Sequence, residues 1–426
     1  MPQYRFCLMI SIKILPMIVK IFSPFLALMM GVFYMTINPP LSFANDETSP
    51  YWQEIVQKAK GQTVHWNAWG GSEQYNAYMA WAAAEVEGRY GVKVKHVKLS
   101  DTAEAVRQVI AEKAAAKHEN GAVDVIWING ENFASMKKNK LLYGPFVEKL
   151  PNFSLVDTLK NPTSIVDFTI PTDGLEAPYG KAQLIFIYDS HYLKSPPKTA
   201  AAILKYAKEN KGRITYPAPP DFIGTSFLKQ LLLSLTSDDL KHFLYTPPGD
   251  NADIILRPLW QYLQDITPHL RHAGKQYPKT GEELITLLDN REIDIAYSFN
   301  IGAASNAILE DRLAPTARSY ILDGGTIGNS HFLAIPYNAT AKEGAMILIN
   351  FLMSPEAQAR KQDTKFWGEA TILSFDKMSA EQQKYFANIQ THPATLTARD
   401  LGTALSEPHP EWMRLIEKQW TMKFGG

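Results

Sequence analysis

An uncharged, mostly apolar run from Ile21 to Ile37 is the first feature of the hydrophobic pattern, and it differs in kind from all that follows. Arg5, Lys13 and Lys20 precede it, Pro39-Pro40 breaks it, and Ser42-Phe43-Ala44 offers small residues for processing. A basic leader, an apolar stretch slightly short of a bilayer span and a small-x-small end are the marks of a secretory signal peptide. The expectation is a leader of residues 1–44 cleaved after Ala44, with an uncleaved anchor as the alternative. A start at Met17 instead of Met1 would give a leader of ordinary length.

Beyond Pro50 the pattern becomes that of an α/β protein. Gln62 to Trp69 predicts a strand, and Gly70-Gly71-Ser72 turns it into a helix that Ser72 can cap. Tyr75, Met79, Ala82, Ala83, Val86 and Tyr90 recur at three- and four-residue steps, giving that helix one buried stripe. A strand at Val92 to Leu99 follows, then a helix opened by Asp101 and Glu104 with Val106, Val109 and Ile110 inward, ended by Asn120-Gly121. Val123 to Ile128 is nearly all apolar, as a parallel strand covered on both faces should be. The order β-α-β-α-β predicts right-handed crossovers, a parallel sheet and ligand loops at the carboxyl ends of its strands.

A second α/β set follows an extended stretch from Ala177 to Asp189 and the helix-blocking Pro196-Pro197. The pattern predicts a helix over Thr199 to Asn210, a strand at Arg213 to Tyr216 and a helix after Gly224-Thr225-Ser226. A helix around Glu282 to Leu288 and a strand at Ile293 to Phe299 come next. Two extended segments between Arg318 and Pro336 flank Gly324-Gly325, and the last part is helical from Ala341 to Met353 and again from Pro355.

At 426 residues and 46% apolar the chain is too long for one ordinary core, so two packed lobes are expected. Lys plus Arg and Asp plus Glu are both 43, and loss of the leader takes away three basic residues and no acid, leaving a net charge near −3. Nothing in that balance favours nucleic acid as a partner. Cys7, the single cysteine, lies in the leader and ahead of its apolar run, so neither a disulfide, thiol chemistry nor lipid attachment is expected of the mature chain. There is no G-x-S-x-G elbow and no H-E-x-x-H, and His269-x-x-His272 has only Asp265 nearby. No catalytic residue, cofactor or metal ligand is therefore expected, and an enzyme is disfavoured.

Several strings carry a resemblance: VHWNAWGGSEQY, YGVKVKHV, VDVIWINGENF, LEAPYGKAQLIFIYDSHYL, KGRITYPAPPDFIGTSFLKQLL, IDIAYSFN and HFLAIPYNATAKEGAMILINFLMSPEAQAR. They resemble the family-1 extracellular solute-binding proteins of ATP-binding-cassette (ABC) importers, closest to the YnjB-like group. The most specific piece is an Ile-Pro strand end followed by a helix and then Phe351 to Gln358. The resemblance implies the type II periplasmic-binding fold: α/β and two-lobed, each lobe a mainly parallel sheet flanked by helices, with a ligand cleft that closes by hinge motion. It puts lobe 1 at 45–178 plus 298–335 and lobe 2 at 179–297 plus 336–426. Crossovers are expected near Tyr179-Gly180-Lys181, Tyr297 to Asn300 and Ile335 to Asn338. The implied function is that of a secreted, monomeric periplasmic receptor that captures a small solute and delivers it to an ABC permease in the inner membrane. A ligand-sensing module of the same fold and a ferric-ion receptor are the alternatives, the latter weakened by the lack of any adjacent Tyr-Tyr pair.

Candidate ligand contacts follow from strand ends and helix starts. Gly70, Gly71 and Ser72 can present N–H groups at the positive end of a helix, or form only a turn and a cap. Trp69 is either a stacking platform or core. Asn129, Gly130 and Glu131 hold the analogous place after the third strand, where Glu131 either opposes a cation or favours the helix start. Tyr179 and Lys181 face the cleft by analogy with the family, while Tyr188 is read as core. Gly224, Thr225 and Ser226 repeat the first helix-start device from the second lobe, with Asp221 ahead of them a loop acid or a cation partner. Ser298 and Asn300 end a strand near a crossover, and His331 opens the return strand as a structural partner or a contact. Such an aromatic-rich cleft favours a flat aromatic or a cationic solute, thiamine-like or polyamine-like, over a bare oxyanion.

Overall fold

The computed structural model describes residues 47–389, 392–402 and 404–425; the expected leader, 1–44 with Cys7, lies outside them. In chain order the first elements are α1 (Pro50–Ala59), β1 (Thr63–Trp69), α2 (Glu73–Tyr90), β2 (Lys93–Leu99), α3 (Ala103–Ala114), β3 (Val125–Ile128) and α4 (Gly130–Lys138). Next come β4 (Val166–Asp167), β5 (Ile170–Pro171), β6 (Glu176–Gln183), β7 (Ile185–Asp189), α5 (Ala200–Glu209), α6 (Phe222–Leu235), α7 (Ala252–Ile266) and α8 (Gly281–Asp289). The last are β8 (Ala296–Ser298), α9 (Ala303–Leu309), β9 (Ala317–Tyr320), β10 (Gly328–Ala334), α10 (Lys342–Leu352), α11 (Pro355–Gln362), α12 (Ala380–Gln383), α13 (Ala398–Leu401) and α14 (Pro410–Phe424).

The predicted β-α-β-α-β run forms one sheet in the order β2-β1-β3-β10-β6, in which β1 pairs parallel with both β2 and β3. Alternation along its strands divides the apolar side chains between two cores. Val64, Trp66, Val125, Ala177 and Leu333 face a core built with α1, α2 and α10. Ile126, Ile128, Phe332 and Ala334 face a core built with α3 and α4. Ser72 caps α2 by accepting from the Tyr75 N–H, and Gly91 ends it with φ of 67°, the left-handed conformation glycine adopts without strain. The Asp101–Glu104 pair works differently from a reciprocal box: Glu104 accepts from the N–H groups of Ser100 and Asp101, and Asp101 from that of Ala103.

The stretch from Ala177 to Asp189 is two strands in two sheets. β6 pairs with β10, whereas β7, one residue beyond Leu184, pairs with β8 and β9 in a separate three-stranded sheet. The chain thus passes from one lobe to the other at Leu184, a few residues beyond the expected Tyr179-Gly180-Lys181. It returns between β9 and β10, not at Tyr297 to Asn300, because β8 and β9 both pair with β7. β10 brings the chain back beside the strand that carried it out, so it runs antiparallel to β6 and to β3. All pairs of the second sheet are antiparallel as well, which makes the strand directions more mixed than the mainly parallel expectation. Arg213 to Tyr216 joins no ladder, although Ile214 and Tyr216 are buried.

The residues after β10 differ from the expected lobe division. Ala339 to Phe386, including all of α10 and α11, share the core of α1 and α2. Ala296 to Leu322 belong instead with β7 and α5 to α8 in the second lobe's core, which Ala394, Trp412, Ile416 and Trp420 complete. Ile335 to Asn338 is therefore no crossover; the chain passes to the second core between Ile389 and Ala394. The two-lobed α/β architecture stands, with different segments filling each lobe.

Candidate functional site

Strands β1, β2 and β3 end side by side, and the chain after each bends into the next helix on the same edge of the sheet. Opposite them lie the starts of α6 and α8 and the residues that follow β8. Between these two edges is a cleft of about 810 Å³, within the range of small-molecule sites. Its first-lobe wall includes Trp69, Gly70, Gly71, Ser72, Trp127, Asn129, Gly130 and Glu131; its second-lobe wall includes Asp221, Phe222, Gly281, Tyr297, Ser298 and Asn300.

The β1 turn is shaped by close contacts. A Cβ at Gly71 would lie 2.3 Å from the Trp69 ring, and one at Gly70 would lie 2.7 Å from the Lys98 side chain. The Gly70 N–H donates to the Leu99 carbonyl, which fastens the turn to the end of β2. Trp69 stands edge-on to Tyr75 at 5.3 Å, and Tyr75 lies 4.4 Å from Trp367, so the wall continues into the aromatic core. At the end of β3, Gly130 has φ of +59°, and its N–H donates to the buried Asp167 carboxylate. Burial pushes Asp167 well above the usual carboxylate range, partly offset by that hydrogen bond.

His331 lies on the cleft floor, 5.1 Å from the Trp127 ring. Its Nδ1 meets Glu369 at 3.2 Å, and the other carboxylate oxygen of Glu369 meets Lys361 at 3.1 Å. Burial opposes ionisation of Glu369, but His331 and Lys361 outweigh it and hold the carboxyl below its ordinary range. Burial pushes Lys361 down, with Glu369 opposing the shift. Of these three side chains only His331 lines the cleft, and its ring is held from behind by the buried Glu369–Lys361 pair.

Of the residues expected to contact a ligand, Trp69, Gly70, Gly71, Ser72, Asn129, Gly130, Glu131, Ser298, Asn300 and His331 line this cleft. Tyr179, Lys181, Gly224, Thr225 and Ser226 do not. Tyr179 is fully buried, its carbonyl accepting from Gln358 and Lys361, because β6 continues through the sheet beneath the floor. Gly180 serves Glu369 instead of a ligand: a Cβ there would fall 1.5 Å from Oε1. Lys181, on the same strand, pairs with Ser330 and bridges to Ala370. α6 begins before Gly224, with Asp221 as N-cap accepting from the Gly224 N–H. Gly224, Thr225 and Ser226 consequently lie inside the helix, and Asp221, Phe222 and Ile223 take the cleft edge. Asp221 is therefore no free loop acid, and burial raises its carboxyl.

Sequence reasoning missed Trp127, although it sits two residues before the expected Asn129, and the pair Met413 and Glu417 on α14. The two lobes also touch beside the cleft. Asn306 of α9 donates to the Trp367 carbonyl at 2.7 Å, and a Cβ at Gly302 would meet Gly368 at 3.0 Å. Arg414 of α14 reaches Glu131 of α4 at 3.2 Å. Lys229 and Glu407, each 1% exposed, pair at 2.8 Å, and Glu407 accepts from Asn329 of β10. Among the described residues no group of three or more His, Cys, Asp or Glu could hold a metal ion, and no helix is long and apolar enough to cross a membrane.

Strand ends of one lobe thus face helix starts of the other across a cleft large enough for a small molecule. The chain belongs to the bacterial extracellular solute-binding protein family, whose model matches residues 81–373; it is a binder and not an enzyme. It is 40% identical over 375 residues to Protein YnjB of Escherichia coli (strain K12), covering 88% of this chain and 94% of that one. Its fold resembles the fructose-6-phosphate-bound periplasmic binding protein AfuA of Actinobacillus pleuropneumoniae, with TM-score 0.59 and 15% identity over 86% of this chain and 99% of that one. It also resembles the spermidine/putrescine ABC transporter substrate-binding protein PotD of Streptococcus pneumoniae, with TM-score 0.55 and 15% identity over 84% and 99% of the two chains.

Proposed function

We propose that this chain is the periplasmic substrate-binding component of an ABC importer, delivered through a cleavable signal peptide and acting as a monomer. The observation that carries this reading is the cleft of about 810 Å³, lined from both lobes by strand ends and helix starts. A solute lying there touches Trp69, Gly71, Ser72, Asn129, Gly130 and His331 on one side and Ser298 and Asn300 on the other. Contacts with both lobes are complete only when the lobes are closed, so the solute stabilises the closed form by that difference. The closed form then docks on a permease in the inner membrane. That PotD and AfuA share the fold supports the transport role, although a polyamine and a sugar phosphate are different cargoes and the fold does not choose between them.

Small-angle scattering of the mature chain tests closure: the radius of gyration should fall when a tight solute is added. Identical profiles with and without it would remove the closing step. Loss of uptake of that solute in a deletion strain supports import, and intact uptake with a lost transcriptional response supports the sensing alternative.

A further inference from the structure

Six carboxylates line the cleft, Asp101, Glu131, Asp221, Glu282, Glu310 and Glu417, against Lys98 and Arg312 as permanent cations. Five of them have a role without a ligand. Asp101 accepts from the Ala103 N–H at the start of α3, and Asp221 caps α6. Glu131 and Glu282 sit in the first turns of α4 and α8, where the helix dipole favours an acid, and are paired with Arg414 and Arg312. Glu310 is held by Arg312 at 2.7 Å. Glu417 is different: it lies midway along α14, half-buried, and among the described residues it has no ion pair. Its Oε1 accepts only from Thr225 Oγ1, at 2.9 Å.

We propose that the solute of this cleft is an organic ammonium cation, its charged nitrogen held by Glu417 of one lobe and by Asp101 of the other. This rests on the receptor reading above. The surrounding walls suit a cation: the rings of Trp69 and Trp127 line the cleft on the first-lobe side, while Phe168 and Phe222 are already taken by Lys229 Nζ, 4.6 Å and 5.6 Å from their ring centres. Asn306 and Tyr297, 6% and 1% exposed, line the same cleft and keep Oδ1 and Oη without a hydrogen-bond partner. Carboxylates on opposite lobes repel one another as the lobes approach, and a cation between them turns that repulsion into attraction. The solute's charge thereby drives closure.

Titration of Glu417 follows from its surroundings. Burial pushes it up to about 7; the Thr225 hydrogen bond and Lys229 oppose the rise, and Glu131 and Asp101 add to it. Arg414, one turn earlier on α14, is engaged by Glu131. A cation binds the ionised form, so capture releases a proton and weakens as pH falls below about 7.

The test is calorimetric titration of residues 45–426 with spermidine, choline and thiamine, and with fructose 6-phosphate and maltose as anionic and neutral probes. Wild type is compared with Glu417→Gln and, on the other lobe, the exposed Asp101→Asn. An ammonium probe should bind, Glu417→Gln should weaken it about tenfold or more at pH near 8, and wild-type affinity should drop by up to about tenfold per pH unit below 7 while the variant stays flat. Asp101→Asn should weaken it in the same direction. Binding of fructose 6-phosphate or maltose with the ammonium probes silent would overturn the cation and leave the receptor reading intact. Silence of every probe would also overturn the cation. Unchanged ammonium affinity in both variants would overturn the placement at these carboxylates.

Discussion

Ser72 and Ser226 look alike in the sequence, each a hydroxyl at a glycine-led helix start, yet they do different work. Ser72 caps α2 and lines the cleft, whereas Ser226 is buried inside α6 with its Oγ unpartnered. Ser72→Ala should cost about 1 kcal/mol of unliganded stability through the lost cap and also weaken solute binding. Ser226→Ala should leave the binding constant unchanged. Chemical denaturation and calorimetry of both variants check the pair; equal binding losses would put Ser226 in the site. Lys361→Met should destabilise by about 3–5 kcal/mol, because Glu369 then keeps a buried charge with His331 alone. The sign with pH follows from the lowered Glu369 carboxyl: its contribution is present above the ordinary carboxylate range and disappears as pH falls through the lowered value, where the variant and wild type should converge. Residues next to a strand end were legible because their backbone position alone brings them to the cleft. His331 and Glu369 were not joined in that way, since 38 positions of sequence separate two groups that meet only across the floor.

At the scale of elements, α2 and its cap were readable from Ser72 and the apolar stripe, and β1 and β2 from their patterns. The start of α6 was not, because two capping signals compete there: Asp221 and the Thr225-Ser226 hydroxyls. The structure uses Asp221, which accepts from the Gly224 N–H directly after a turn at Pro219-Pro220 that the Asp221 N–H closes by donating to the Ala218 carbonyl. Gly224 then has a packing role, for a Cβ there would lie 2.1 Å from the Pro217 carbonyl oxygen. Gly224→Ala should lower the unfolding free energy by about 1–3 kcal/mol, measured by denaturant titration. A neutral result would mean that the start of α6 can shift without cost. β6 and β7 read as one stretch because hydrophobic alternation continues through Leu184 while the pairing partners change. α14 carried no signal that it would reach the cleft, since its apolar stripe at Trp412, Ile416 and Trp420 shows only that it packs.

At the scale of the whole molecule, composition and element order were enough to expect two α/β lobes, but not which segments fill them. Core membership of Ala339 to Phe386 depends on α10 packing against α1 and α2, a contact between distant parts of the chain that periodicity does not encode. The central claim is that a small solute is bound between the lobes. It is tested most directly by thermal unfolding of residues 45–426, in wild type and Trp127→Ala, against polyamines, thiamine derivatives, sugars, amino acids, oxyanions and metal ions. A solute at about a hundred times its dissociation constant adds roughly 2.7 kcal/mol, a visible rise in midpoint. The account predicts such a rise for one solute class and a much smaller one in Trp127→Ala, whose ring lines the cleft. No rise with any solute, and no copurified small molecule by native mass spectrometry, would contradict it.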